Sequence, residues 1–142
     1  MIELISIISL ELLYLPILTK MNFDDAQAHC KTLGGSLLIA NSSEEHDLGR
    51  EAIFRNLNDR YEHNYYIGLK MRKGPLGTRK WEWIDGSPTS WLNFGPSSGD
   101  GSTDEDYCAA MTTENWGLVW YDVPCSNKER FICKFVNDPS HS

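Results

Sequence analysis

The sequence predicts a single α+β domain, and three observations predict it. Two amphipathic helical stretches occupy residues 22 to 57, and short apolar and aromatic runs broken by Gly, Pro, Asp and Ser follow from residue 65. The four cysteines are an even count, which in a small domain favours two disulfides and an oxidising compartment. At 142 residues, 41% hydrophobic and 23% charged, the chain is long enough for one core and too apolar for wholesale disorder.

The N-terminal stretch "MIELISIISLELLYLPILTK" is apolar, yet no Lys or Arg precedes the apolar run and Glu3 and Glu11 interrupt it. Residues 1–11 therefore read as a degenerate signal-like or non-native segment. Residues 12 to 18 fit a buried first strand as well as the remainder of a cleaved signal. "NFDDAQAHCKTLGG" predicts a helix capped by Asn22, with Asp24 and Asp25 in its first turn and Gly34 and Gly35 ending it. Phe23, Ala26, Cys30 and Leu33 recur at helical spacing and form its expected buried face. "SLLIA" is a strand candidate, and "NSSEEHDLGREAIFRNL" predicts a second helix capped by Ser42 or Ser43. Further strands are expected at "YYIGLKM", "KWEWI", "YCAAMT", "LVWYDV" and "RFICKFV", with residues 137–142 a flexible tail.

Net charge is −7, which argues against a nucleic-acid partner, since phosphate binding is driven by basic side chains releasing counterions. The charge is uneven. Residues 70 to 80 carry Lys70, Arg72, Lys73, Arg79 and Lys80 with no acid, whereas residues 98 to 106 carry Asp100, Asp104, Glu105 and Asp106 with no base. The cysteines form no C-x-x-C pair, which disfavours a thiolate metal site. No stretch of 18 residues is free of charge, so no membrane-spanning segment is expected in this chain.

"YIGL" at 66–69, "WEWIDGSP" at 81–88, "WYDVPC" at 120–125, "RFICK" at 130–134 and the helix "MNFDDAQAHCKTLGGSL" resemble, in order and spacing, the C-type lectin-like domain over residues 12–136. The resemblance implies that family's fold, with two helices on small antiparallel sheets and a long irregular loop region. It also implies disulfides joining Cys30 to Cys133 and Cys108 to Cys125, as in the short, four-cysteine form. Closing about a hundred residues contributes roughly 4 to 5 kcal/mol and closing the short loop roughly 3. The tryptophans at 81, 83, 91 and 120 are expected in the core. A secreted chain and the ectodomain of a larger protein both fit.

In calcium-dependent members the resemblance implies two ligand elements, a loop tripeptide such as Glu-Pro-Asn followed by an acid before a cysteine, and a Trp-Asn-Asp on the next strand. Here the second reads Trp120, Tyr121, Asp122, so the Asn amide is replaced by a phenol. The tripeptide falls at Ser98-Gly99-Asp100 or at Gly95-Pro96-Ser97, and neither alignment keeps the Glu or Gln. The auxiliary calcium site would fall on Met71, Arg72 and Lys73, which cannot supply carboxylates. Asp100, Asp104, Glu105, Asp106 and Asp122 remain as a candidate non-standard calcium set, and Ser98, Asp100, Trp116, Tyr121 and Asp122 as ligand-binding candidates.

The expected function is an extracellular, glycan- or glycoprotein-binding recognition module with calcium as a candidate cofactor. The alternative is calcium-independent binding of a protein surface or a sulfated glycan, the latter on the basic tip of residues 70 to 80. That tip could equally face the acidic loop of another copy. Asn41-Ser42-Ser43 is a glycosylation sequon. Nothing points to an enzyme: there is no G-x-S-x-G or H-E-x-x-H, and the histidines at 29, 46, 63 and 141 lie in unrelated segments.

Overall fold

The computed structural model describes residues 13–96, 105–117 and 119–136. Strand β1 (Tyr14–Met21) leads into helix α1 (Phe23–Thr32), then β2 (Ser36–Leu37), helix α2 (Ser43–Arg55), β3 (Asn64–Lys73), β4 (Arg79–Trp83), β5 (Tyr107–Thr112), β6 (Trp120–Pro124) and β7 (Glu129–Lys134). The expected residues 1–11 segment and 137–142 tail lie outside the described residues. No described helix is long and apolar enough to cross a membrane.

Both helices start where local chemistry places them. The Asn22 side chain accepts from the Asp25 amide at 2.9 Å, and Ser42 accepts from the Glu45 amide at 3.2 Å. Helix α1 ends in a Schellman arrangement: Gly34 has φ +91°, and the Gly35 and Gly34 amides donate to the carbonyls of Cys30 and Lys31. Leu33 departs from expectation. It caps the helix instead of continuing its buried face, and is 47% exposed.

The strands form one sheet in the order β1-β7-β3-β5-β6, with β2 beside β7 and β4 beside β3. Pairings are antiparallel except β3 with β7, which is parallel through Tyr65–Arg130 and Tyr66–Phe131. Alternation along the strands buries both faces. One face sets Tyr65, Ile67, Leu69 and Met71 of β3 with Trp81, Trp83, Trp120 and Ile132 under α2. The other sets Tyr66, Cys108, Ala110, Val123 and Phe131 under α1, whose Phe23, Ala26 and Cys30 reach it.

The disulfides are Cys30–Cys133 and Cys108–Cys125, closing sequence separations of 103 and 17. The first fastens α1 to β7 and the second fastens β5 to the residue after β6. Tyr66 donates its hydroxyl to the carbonyls of Pro124 and Asn127 at 3.0 and 2.7 Å, closing the β6–β7 connection over the core. A three-residue cluster ties β1, α2 and β7: the Lys134 ammonium donates to the Tyr14 hydroxyl at 2.7 Å and to both Glu45 carboxylate oxygens at 3.0 Å.

Candidate functional site

The turn between β5 and β6 carries the most exposed tryptophan of the described chain. Asn115 and Trp116 have φ of 51° and 63°, a left-handed conformation that costs side-chain-bearing residues, and Gly117 follows at 70°. Trp116 is 72% exposed. Its backbone carbonyl accepts from Arg50 Nε of α2, and the Arg50 guanidinium lies 5.0 Å from the centre of the Phe54 ring. Phe54 in turn sits 6.3 Å, centre to centre, from the indole. A Cβ at Gly117 would stand 2.9 Å from the Phe54 ring, so the turn presses on α2 at its only residue without a side chain.

Behind this turn, Trp120 fixes the loop that approaches β6 from the other side. Its indole Nε1 donates to His46 Nδ1 at 2.9 Å, its amide donates to the Asn93 carbonyl, and its carbonyl accepts from the Gly95 amide. Phe94 stacks 4.7 Å from Trp81 and packs edge-on to Trp120. His46 is 5% exposed; burial lowers its pKa, with Asp47 opposing that shift most and Arg50 adding to it. The ring is therefore neutral with Nδ1 free to accept, which places its proton on Nε2. Neither His46 nor Arg50 stands out from its local sequence, although His46, Gly49, Ala52 and Ile53 share the buried helical spacing.

The next two residues of β6 are Tyr121 and Asp122, both half-buried, paired with Ala110 and Ala109. The Tyr121 ring lies beside Gly95, where a Cβ would be 3.7 Å away. The phenol thus fills space beside the start of the acidic loop where an amide oxygen was expected from the resemblance.

Glu105 and Asp106 are exposed and line a cavity of about 450 Å³ together with Asp24, Asp25, Lys70 and Ser126. The Asp106 carboxylate faces Lys73 Nζ at 3.6 Å. The basic tip therefore meets the acidic stretch within one chain, so contact between copies is not needed to bring the opposite charges together. Asp122 lies three ladder positions along β5–β6 from the level of Asp106, and Ser98, Asp100 and Asp104 lie outside the described residues. The resemblance implies calcium for calcium-dependent members, and the described donors do not match their pattern. Tyr121 offers a phenol, Asp106 already faces an ammonium, the auxiliary positions are Met71, Arg72 and Lys73, and among the described residues no three His, Cys, Asp or Glu side chains converge on one point.

Lys70, Arg72 and Lys73 fall on β3, and Arg79 and Lys80 fall on β4 opposite Lys73 and Arg72. The tryptophans at 81, 83 and 120 are buried, and Trp91 packs against them half-buried. Asn41 is half-buried, one residue before the α2 cap.

A family described as "Lectin C-type domain" matches residues 19–135. The chain is 28% identical over 116 residues to the rat protein "C-type lectin domain family 4 member A", covering 82% of this chain and 44% of that one. It thus spans less than half the length of that relative. Among solved structures, human lithostathine superposes with a TM-score of 0.75 at 28% identity, covering 87% of this chain and 91% of that chain. The mouse scavenger receptor C-type lectin carbohydrate-recognition domain does so with a TM-score of 0.69 at 26% identity, covering 88% and 90%.

Proposed function

The chain belongs to the C-type lectin domain family, and we propose that it is an extracellular recognition module, not an enzyme, that binds carbohydrate through Trp116 and the adjoining β6 residues without requiring calcium. One observation carries this reading: a large aromatic ring is held 72% exposed on two consecutive left-handed residues. Backbone strain of that kind costs on the order of 1–3 kcal/mol per residue and persists where surrounding structure over-determines it, commonly at binding sites. Here Arg50 and Phe54 do so.

The indole offers a flat apolar face suited to the C–H face of a sugar ring, and pays little conformational entropy on binding because it has two side-chain torsions. Asp122 supplies an acceptor for sugar hydroxyls from β6, the strand that follows the Trp116 turn. The likeness to a named carbohydrate-recognition domain supports the ligand class, and a phenol at Tyr121 with Met71, Arg72 and Lys73 at the auxiliary positions supports independence from the ion. The test is binding to an array of immobilised neutral glycans by the wild-type chain and by Trp116→Ala. A glycan signal that the substitution reduces at least tenfold supports the proposal; an unchanged signal, or none for the wild type, contradicts it.

A further inference from the structure

Arg50 of α2 holds the Trp116 turn by one edge of its guanidinium and leaves the other edge open. Its Nε donates to the Trp116 carbonyl, and the guanidinium carbon lies 5.0 Å from the centre of the Phe54 ring, which restrains the group further. Among the described residues neither terminal nitrogen of Arg50 has a hydrogen-bond partner, and no carboxylate forms an ion pair with it. Arg55, Arg72 and Arg130 differ: they face Glu51 at 3.9 Å, Glu82 at 3.3 Å and Asp59 at 3.4 Å. Asp47 stands one helical turn before Arg50, and Glu114 stands two residues before Trp116. Both are exposed and neither pairs with the guanidinium, so solvent and salt screen their repulsion of an anion there.

A guanidinium presents its N–H groups in a rigid planar fork. With Nε engaged, the two terminal nitrogens still offer a parallel pair of N–H groups whose spacing matches the two oxygens of a carboxylate. Phe54 lies 6.3 Å from the Trp116 indole, so cation and exposed indole belong to one continuous surface of α2 and the β5–β6 turn. Arg50 is already ordered by the Trp116 carbonyl and by Phe54, and little side-chain freedom remains to be lost when a ligand binds.

We propose that Arg50 makes this site selective for acidic sugars, with the sugar ring on the Trp116 indole and its carboxylate on the terminal nitrogens of Arg50. The inference rests on the carbohydrate reading at Trp116 and goes beyond it by naming the ligand class. A neutral sugar keeps the contact with the indole and lacks the ion pair, so it binds the same place more weakly. A carboxylate without a ring, such as acetate, has the ion pair and lacks the stacking.

The test uses the full chain and immobilised glycans identical except for the terminal sugar, which is glucose, glucuronic acid or the methyl ester of glucuronic acid. The wild type is expected to bind the glucuronic acid glycan at least about fivefold more tightly than the other two, with a preference that shrinks as salt rises. Arg50→Gln is expected to keep binding the glucose glycan and to lose the preference. Because Arg50 also holds the turn, the readout is the ratio of acidic to neutral binding, which a purely structural role leaves unchanged. Equal wild-type affinity for all three glycans would overturn the inference and leave the carbohydrate reading standing, whereas binding to none would overturn both. An acid preference that survives Arg50→Gln, loss of all three bindings in that variant, or displacement of the glucuronic acid glycan by acetate as effective as by free methyl glucuronide would overturn the role of Arg50.

Discussion

The indole of Trp120 donates to the imidazole of His46 at 2.9 Å, across a sequence separation of 74 and with both rings buried. This bond joins α2 to the strand that carries Tyr121 and Asp122. The Trp120 backbone in turn holds Asn93 and Gly95, so one buried histidine supports both sides of the proposed carbohydrate surface.

The bond requires a neutral His46, which makes it sensitive to acid. Because burial lowers the folded-state pKa below the ordinary value of 6.5, the unfolded chain takes up this proton first, and stability falls as pH drops below about 6.5. Thermal melts from pH 8 to pH 5 should show that fall in the wild type and a flatter profile in His46→Gln, which cannot gain the charge. Equal slopes in the two proteins would refute the role. His46→Phe should cost about 1–3 kcal/mol at neutral pH, since it leaves the buried indole N–H without an acceptor.

The Lys134–Tyr14–Glu45 cluster responds at the other end of the scale. Burial pulls the Lys134 pKa down, but hydrogen bonds to Tyr14 and Glu45 and the Glu45 charge more than offset this, so it lies above the ordinary value. Its stabilisation is complete below the unfolded lysine pKa of about 10.4 and is lost as pH rises through the higher folded value. Lys134→Met should lower stability by about 1–2 kcal/mol near neutral pH, measured by denaturant unfolding, because Glu45 and Tyr14 lose a shared donor.

The two disulfides should differ in worth. Replacing Cys30 and Cys133 by Ser should cost roughly 4 to 5 kcal/mol and replacing Cys108 and Cys125 roughly 3, because the first closes the longer loop. Chemical denaturation of the two double variants measures the difference, and a larger loss for the shorter loop would contradict the ordering.

Gly117→Ala separates the shape of the Trp116 turn from its ring. At φ 70° and with Phe54 2.9 Å from the added carbon, the alanine should cost about 1–2 kcal/mol and displace the indole. Trp116→Ala should leave the melting temperature nearly unchanged, because the removed ring is mostly exposed. Similar melting temperatures for the two variants would argue against a strained turn.

Much of the scaffold was legible because it follows local rules. The Asn22 and Ser42 caps, the glycine stop at 34 and the alternation along β3 each follow from a few adjacent residues. Residues 12 to 18 were ambiguous because an apolar run reads alike as strand and as signal; Tyr14–Met21 pairs with β7 as a strand. Leu33 has helical spacing but falls at the cap, where that spacing no longer predicts burial. The disulfide pairing came from family resemblance, since four cysteines admit three pairings. The site was legible in residue type and not in partnership. Trp116 and Tyr121 stood out, whereas Arg50 beneath Trp116, His46 beneath Trp120 and Lys73 beside Asp106 are brought together only by the sheet, across separations that no local pattern encodes.

The central claim is that carbohydrate binds at Trp116 and β6 independently of calcium. The most direct measurement is a binding isotherm for the strongest neutral glycan ligand, recorded in calcium and again in excess chelator, for the wild type and Trp116→Ala. The account predicts the same affinity in both buffers for the wild type and at least tenfold weaker binding for Trp116→Ala in each. Loss of wild-type binding on chelation, or full affinity without the indole, would contradict it.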